Sequence, residues 1–188
     1  RSVLPWFGIE TARSSGDDDE FYGVREYKEG ESVKRIHWVS RARKILFGAM
    51  TAAVLYLVFL GLGQLARAVW PWSAADIGRV YAFKTGASSA RVGLLILFII
   101  GPGEEIIWRG FLQRHWERRW GFPAGWLLAA ALYTAVHLGS GNAILVLAAA
   151  AAGLFWGYLY HRFGSVLLNA VSHTLWDLVV FLVLPLAS

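Results

Sequence analysis

Ionisable side chains set inside apolar runs constrain this chain more tightly than any other feature. Glu104 and Glu105 follow the apolar run 92–100, and Arg109 stands one helical turn beyond Glu105. His137, His173 and Asp177 fall within later apolar runs. At the centre of a bilayer such a group costs about 3 kcal/mol on insertion scales unless it is paired or faces a cavity. The most economical use of two carboxylates, two imidazoles and a guanidinium there is water activation in a buried site.

Composition supports the membrane premise. The chain is 56% hydrophobic with ten Trp in 188 residues, and its mean hydropathy is +0.46. That is too apolar for an ordinary soluble domain of this size. Cysteine is absent, which excludes a disulfide framework, a thiolate metal site and a thiol nucleophile. The net charge of +5 comes from Lys and Arg clustered outside the apolar runs. Such clustering fits orientation in a membrane, with no nucleic-acid partner. The first 44 residues contain no uninterrupted apolar stretch, so no cleavable signal peptide is read. The chain starts at Arg1 without an initiator Met, which leaves room for a missing N-terminal part.

Two regions meet near Lys44. Residues 1–44 are polar, with an acidic run at 17–20 and a basic run at 34–44, and are expected to form a short, poorly structured cytoplasmic tail. Residues 45–188 are expected to form the membrane domain. The expected fold is all-α: a polytopic transmembrane helical bundle of about five spans, at 45–66, 91–113, 122–140, 142–161 and 164–186. Each is near the ~20 residues that cross a ~30 Å hydrocarbon core as a helix, the default backbone where no water can satisfy peptide groups. Pro71, Gly78 and Gly86, then Gly121 and Pro123, then residues 139–142, then Gly164 supply the breaks. The run 148–153 and Gly157 give the fourth span a small-residue face, read as a packing surface. Basic clusters at 34–44 and 114–119, with Arg162, predict a multi-pass cell-membrane protein with a cytoplasmic N-terminus. Arg67, Arg79, Lys84 and Arg91 fall on the other side, so the bias is not clean.

Spacing then predicts a common depth. If spans two and three form a hairpin turning at 120–121, Glu104 and His137 each lie 16 residues from the turn. Glu104 is ten residues inside Arg114 and His173 eleven past Arg162, roughly 15 Å at 1.5 Å per residue. Three spans therefore carry ionisable groups in one layer.

Each residue has a structural reading beside the catalytic one. Glu105 and Arg109 at i,i+4 read as an internal ion pair, the guanidinium being too basic for proton transfer. Glu104 points ~100° away around the helix and has Trp108 rather than a cation at i+4, so it is the better working carboxylate. His137 reads equally well as an interfacial histidine near a helix end. His173 and Asp177 are i,i+4, with Asn169 one turn back, and a polar packing ladder is the favoured role for Asn169. Tyr133 lies one turn before His137 and is expected to stack on or hydrogen-bond its imidazole. His37, His115 and His161 read as surface histidines.

These residues carry a resemblance. Glu104-Glu105-x3-Arg109, then Tyr133-x3-His137, then His173-x3-Asp177 resemble the ordered EExxxR, aromatic-x3-H and HxxxN/D motifs of the CPBP family, the CAAX proteases and bacteriocin-processing enzymes also called ABI. The words 107–112 and 172–177 are similar to those of the family as well. The resemblance covers residues ~88–183, which it implies are the catalytic core, and it implies an intramembrane endopeptidase acting on a peptide or protein substrate in the bilayer. Glu104 is then the general base with His137, His173 and Asp177 line the oxyanion side, and Glu105 and Arg109 support them. The family pattern usually has Phe where Tyr133 stands and often an amide where Asp177 stands. An ionised Asp177 cannot donate to an oxyanion, so it must be protonated, orient His173 or bind a metal. Glu104, His137 and His173, with Asp177, would also suit zinc, making a metalloprotease the alternative. A non-catalytic immunity or scaffolding protein of the same fold is a second alternative. A proton relay or transporter is a third, weakened by the absence of inverted repeats. Residues ~16–43 resemble a fragment of an uncharacterised soluble family linked to MoxR ATPases, too short to fold alone.

Overall fold

The computed structural model describes residues 33–82 and 86–186, with side chains from Ser40 onward. The tail at 1–32, and most of the stretch resembling a MoxR-linked family, lie outside these residues. Among the described residues all regular structure is helical, in six rods. Helix α1 is Val33–Val69, α2 is Ser73–Ala82, and α3 is an unbroken run over 89–120. Helix α4 is Phe122–Val136 with a tight turn His137–Ser140, α5 is Ala143–Phe163, and α6 is Val166–Leu178, extended by Val179–Val183.

Residues 33–44, grouped with the tail by their charge, are the first turns of α1. Nothing between Val33 and Phe47 is Gly or Pro, so helix propagates straight through the basic cluster into the apolar run. The other boundaries follow local chemistry. Ser88, Asn142 and Ser165 cap α3, α5 and α6 by accepting from the amides of Arg91, Leu145 and Leu168. Gly121 (φ 81°) and Gly164 (φ 58°) take positive φ values that end α3 and α5.

Among the described residues, four helices are long and apolar enough to cross a membrane: Ser40–Val69, Phe122–Ser140, Ala143–Phe163 and Val166–Val183. The remaining expected span, 91–113, is helical throughout, but Glu104, Glu105 and Arg109 interrupt its apolar run. Large apolar side chains face outward along the bundle, among them Leu57, Phe98, Ile99 and Phe111 at 61–69% exposure. An exposed apolar surface of this extent matches lipid rather than water.

Helix α6 occupies the centre. It runs parallel to α1, with Gly48 against Leu168 and Val171 and Phe59 against Trp176. It runs antiparallel to α3, with Gly101 against Thr174 and Gly110 against Val166. A Cβ at Gly101 would overlap Thr174, so only glycine permits this approach. Helices α4 and α5 form an antiparallel pair in which Gly153 lies under Tyr133 and Gly157 under Trp126. The small-residue face of α5 is thus a packing surface that lets α3 and α4 come close.

Candidate active site

Helix α3 delivers its charged residues through an irregular backbone. Wide i→i+5 turns at Ile96–Ile100 and Ile106–Gln113 flank the α-helical piece Gly101–Glu105. Such π-turns reset the angular position of the residues beyond them and recur at functional sites. Within the short central piece, Glu104 and Glu105 point to different neighbours.

Glu105 is fully buried and lies at the centre of a hydrogen-bonded cluster. Its Oε1 accepts from Arg109 Nη1 at 2.8 Å and from His173 Nδ1 at 2.8 Å. Its Oε2 accepts from Asn169 Nδ2 at 3.1 Å. Asn169 also donates to the Trp156 carbonyl at 2.7 Å. Arg109 reaches the Gly153 carbonyl at 3.4 Å and lies 5.0 Å from the Tyr133 ring centroid and 5.7 Å from that of Trp156. One turn on, Gln113 donates to the Gly157 carbonyl and to Glu117, both at 2.7 Å. The stretch around Gly153 and Gly157 therefore also exposes α5 carbonyls to the polar side of α3.

Glu104 is held differently. Its side chain is 33% exposed, and its Oε2 accepts from the Tyr133 hydroxyl at 3.0 Å. Trp108 packs edge-on against the Tyr133 ring, at 5.3 Å between centroids. His173 Nε2 stands 4.0 Å from Glu104 Oε2 and 3.4 Å from Asp177 Oδ2. His173 and Asp177 are both buried. A carboxylate can only accept, so His173 carries a proton on Nδ1 and turns Nε2 toward Glu104 and Asp177.

His137 sits half-buried at the end of α4. Its Nδ1 lies 2.7 Å from the Tyr133 carbonyl, which fixes the proton on Nδ1 and leaves Nε2 as the acceptor. Its ring also packs on that of Tyr133, at 4.9 Å. Tyr133 meets the imidazole as expected, through a tilted ring contact at 55° and through its carbonyl, but its hydroxyl goes to Glu104. Tyr133 thereby joins Glu104 and His137, the hydroxyl to one and the carbonyl to the other.

Glu104, Glu105, Arg109, Asn169, His173 and Asp177 thus converge from α3 and α6, with Tyr133 entering from α4, while His137 meets the cluster through Tyr133. Asn169 is part of this cluster as well as of helix packing. Of the other histidines, His115 and His161 are exposed, and His161 stacks on Phe122. The side chain of His37 lies outside the described residues. Among the described residues, no group of three or more His, Asp or Glu side chains is arranged to hold a metal ion. Sequence reasoning missed Trp156, whose indole stacks on His173 at 3.8 Å and 25°. Phe155, Tyr158 and Tyr160 stand beside Trp156 in the same helix, so no signal in the sequence singles it out.

A family model described as "Type II CAAX prenyl endopeptidase Rce1-like" matches residues 86–179. No curated protein and no solved structure matches the chain. The matched segment contains every residue of the cluster. The chain belongs to this family of CAAX-type intramembrane proteases.

Proposed function

We propose that this chain is a multi-pass membrane endopeptidase that hydrolyses a peptide bond near the C-terminus of a prenylated or membrane-associated substrate, with Glu104 as general base. The observation that carries this reading is the asymmetry of the two carboxylates. Glu105 is saturated by three partners, whereas Glu104 is partly open and held on one oxygen by a hydroxyl. A base must be oriented and still free to take a proton.

Glu104 takes a proton from water as the water oxygen attacks the scissile carbonyl carbon. His137, positioned through Tyr133, assists by accepting from the same water at its unprotonated Nε2. The carbonyl oxygen becomes an oxyanion on the side of His173 Nε2 and Asp177. Donors preorganised at such a position contribute about 3 kcal/mol each. Asp177 donates there as the neutral acid. With Arg109 and a doubly protonated His173 balancing Glu104 and Glu105, the site is then uncharged overall, as a bilayer favours. Collapse of the intermediate breaks the C–N bond, and the proton on Glu104 passes to the leaving amine. Every proton in this sequence is held or moved by a side chain of the cluster.

The test is cleavage by purified protein in liposomes. A peptide ending in a farnesylated cysteine and three further residues, and its unprenylated counterpart, are followed by mass spectrometry. Release of the terminal tripeptide, faster from the prenylated form, is expected. Failure to cleave either peptide or a membrane-peptide library would favour a non-catalytic scaffold.

A further inference from the structure

The hydrogen bond from His173 Nδ1 to Glu105 fixes one point of the imidazole but not the tilt of its plane. That tilt decides where Nε2 points. Trp156 supplies the missing constraint. Its indole lies against the imidazole with centroids 3.8 Å apart and planes 25° apart. The indole is itself immobilised. Its Nε1 donates to Ser172 Oγ at 3.2 Å, and the residue is 1% exposed. Its carbonyl accepts from Asn169. Trp176 packs on its edge at 5.7 Å and 83°, and Phe59 of α1 packs on Trp176 in turn at 4.8 Å.

We infer that Trp156 is a positioning residue for the hydrolytic reaction: its stacked indole sets the plane of His173 and so aims Nε2 between Glu104 and Asp177. The inference rests on the endopeptidase reading of the site. A tryptophan that merely filled the core would need volume, not near-coplanarity with an imidazole. The ring stack also connects α1, which bears none of the clustered polar residues, to the histidine on α6 through Phe59, Trp176 and Trp156.

The test uses full-length protein in nanodiscs, with imidazole resonances assigned by selective histidine labelling and turnover measured on the cleaved peptide. In Trp156→Leu, kcat should fall on the order of 10–100-fold, as for a misplaced reacting group. KM should stay within about twofold, since ground-state binding is untouched. The His173 ring protons should lose the upfield shift imposed by the indole. Trp156→Phe, which keeps a stacking face, should recover most of the rate and part of the shift. Unchanged kcat and resonances in Trp156→Leu would overturn the inference. So would equal losses in the Leu and Phe variants that track thermal stability. If Trp156→Leu does not fold, Ser172→Ala decides: removing the indole's anchor should shift the His173 resonances and lower kcat, and no change in either refutes the proposal. The resonances need no substrate. Absence of cleavage by wild type would therefore sink the endopeptidase reading while leaving the His173 geometry separately measurable.

Discussion

Glu104 and Glu105 are neighbours in sequence and opposites in environment. Glu105 is sealed between α3 and α6, with Arg109, His173 and Asn169 satisfying its oxygens. Glu104 faces α4, accepts from Tyr133 and remains one-third exposed. One helix step of ~100° separates them, enough to send two identical side chains to different partners. The lesson is that chemistry in a membrane needs a closed half and an open half. The closed half neutralises the charge that insertion penalises, and the open half leaves one carboxylate accessible, as the proposed general base requires.

The sharpest way to break the closed half is Glu105→Ala. It leaves Arg109 buried without its carboxylate, and removing one partner of a buried pair costs about 3–5 kcal/mol. Loss of folded protein in detergent, followed by thermal unfolding, is the expected outcome. Arg109→Ala should act in the same direction by stranding Glu105. An Arg109→Ala protein of full stability and reduced rate would instead place the guanidinium against substrate. Asn169→Ala should be milder, about 1–2 kcal/mol for an interhelical hydrogen bond in a bilayer, with turnover lowered through His173.

The open half should respond in rate rather than stability. Tyr133→Phe removes the hydroxyl on Glu104 and keeps the ring under Arg109 and His137. Turnover should fall roughly tenfold, about 1.4 kcal/mol, a typical share for a hydrogen bond to a charged group. A parallel fall in melting temperature would assign Tyr133 to packing. Asp177→Asn should have the smallest effect, with a rate within about threefold of wild type, since an amide donates as the neutral acid does. The amide cannot ionise, so activity should also persist to higher pH than in wild type. A stoichiometric metal lost together with activity in Asp177→Asn would contradict the side-chain mechanism and favour a metalloprotease.

Much of this division was legible in the chain. The i,i+4 spacing of Glu105 and Arg109 foretold their ion pair, and the single step to Glu104 foretold its separate partner. The shared layer of Glu104 and His173, whose side chains stand 4.0 Å apart, follows from counting residues to the turns. The features hidden from the sequence depend on ring planes and backbone irregularity. Nothing in the letters places the Trp156 indole on His173 rather than in lipid. The π-turns around Gly101–Glu105 leave no periodicity signal beyond the glycines at 101 and 103. Tyr133 could be paired with His137 by spacing, but which group its hydroxyl met depended on the approach of α3 to α4. The helical start at Val33 is hidden in the sequence by the basic charges of residues 34–44, which resemble a polar tail more than a helix.

The central claim is that one carboxylate of the adjacent pair works on water while the other holds the site together. Glu104→Gln in liposomes, assayed for tripeptide release beside its thermal unfolding curve, tests it most directly. The account predicts a rate loss of roughly 10²–10⁴-fold, the usual worth of a general base, with an unchanged melting temperature. Cleavage at the wild-type rate by Glu104→Gln would contradict it.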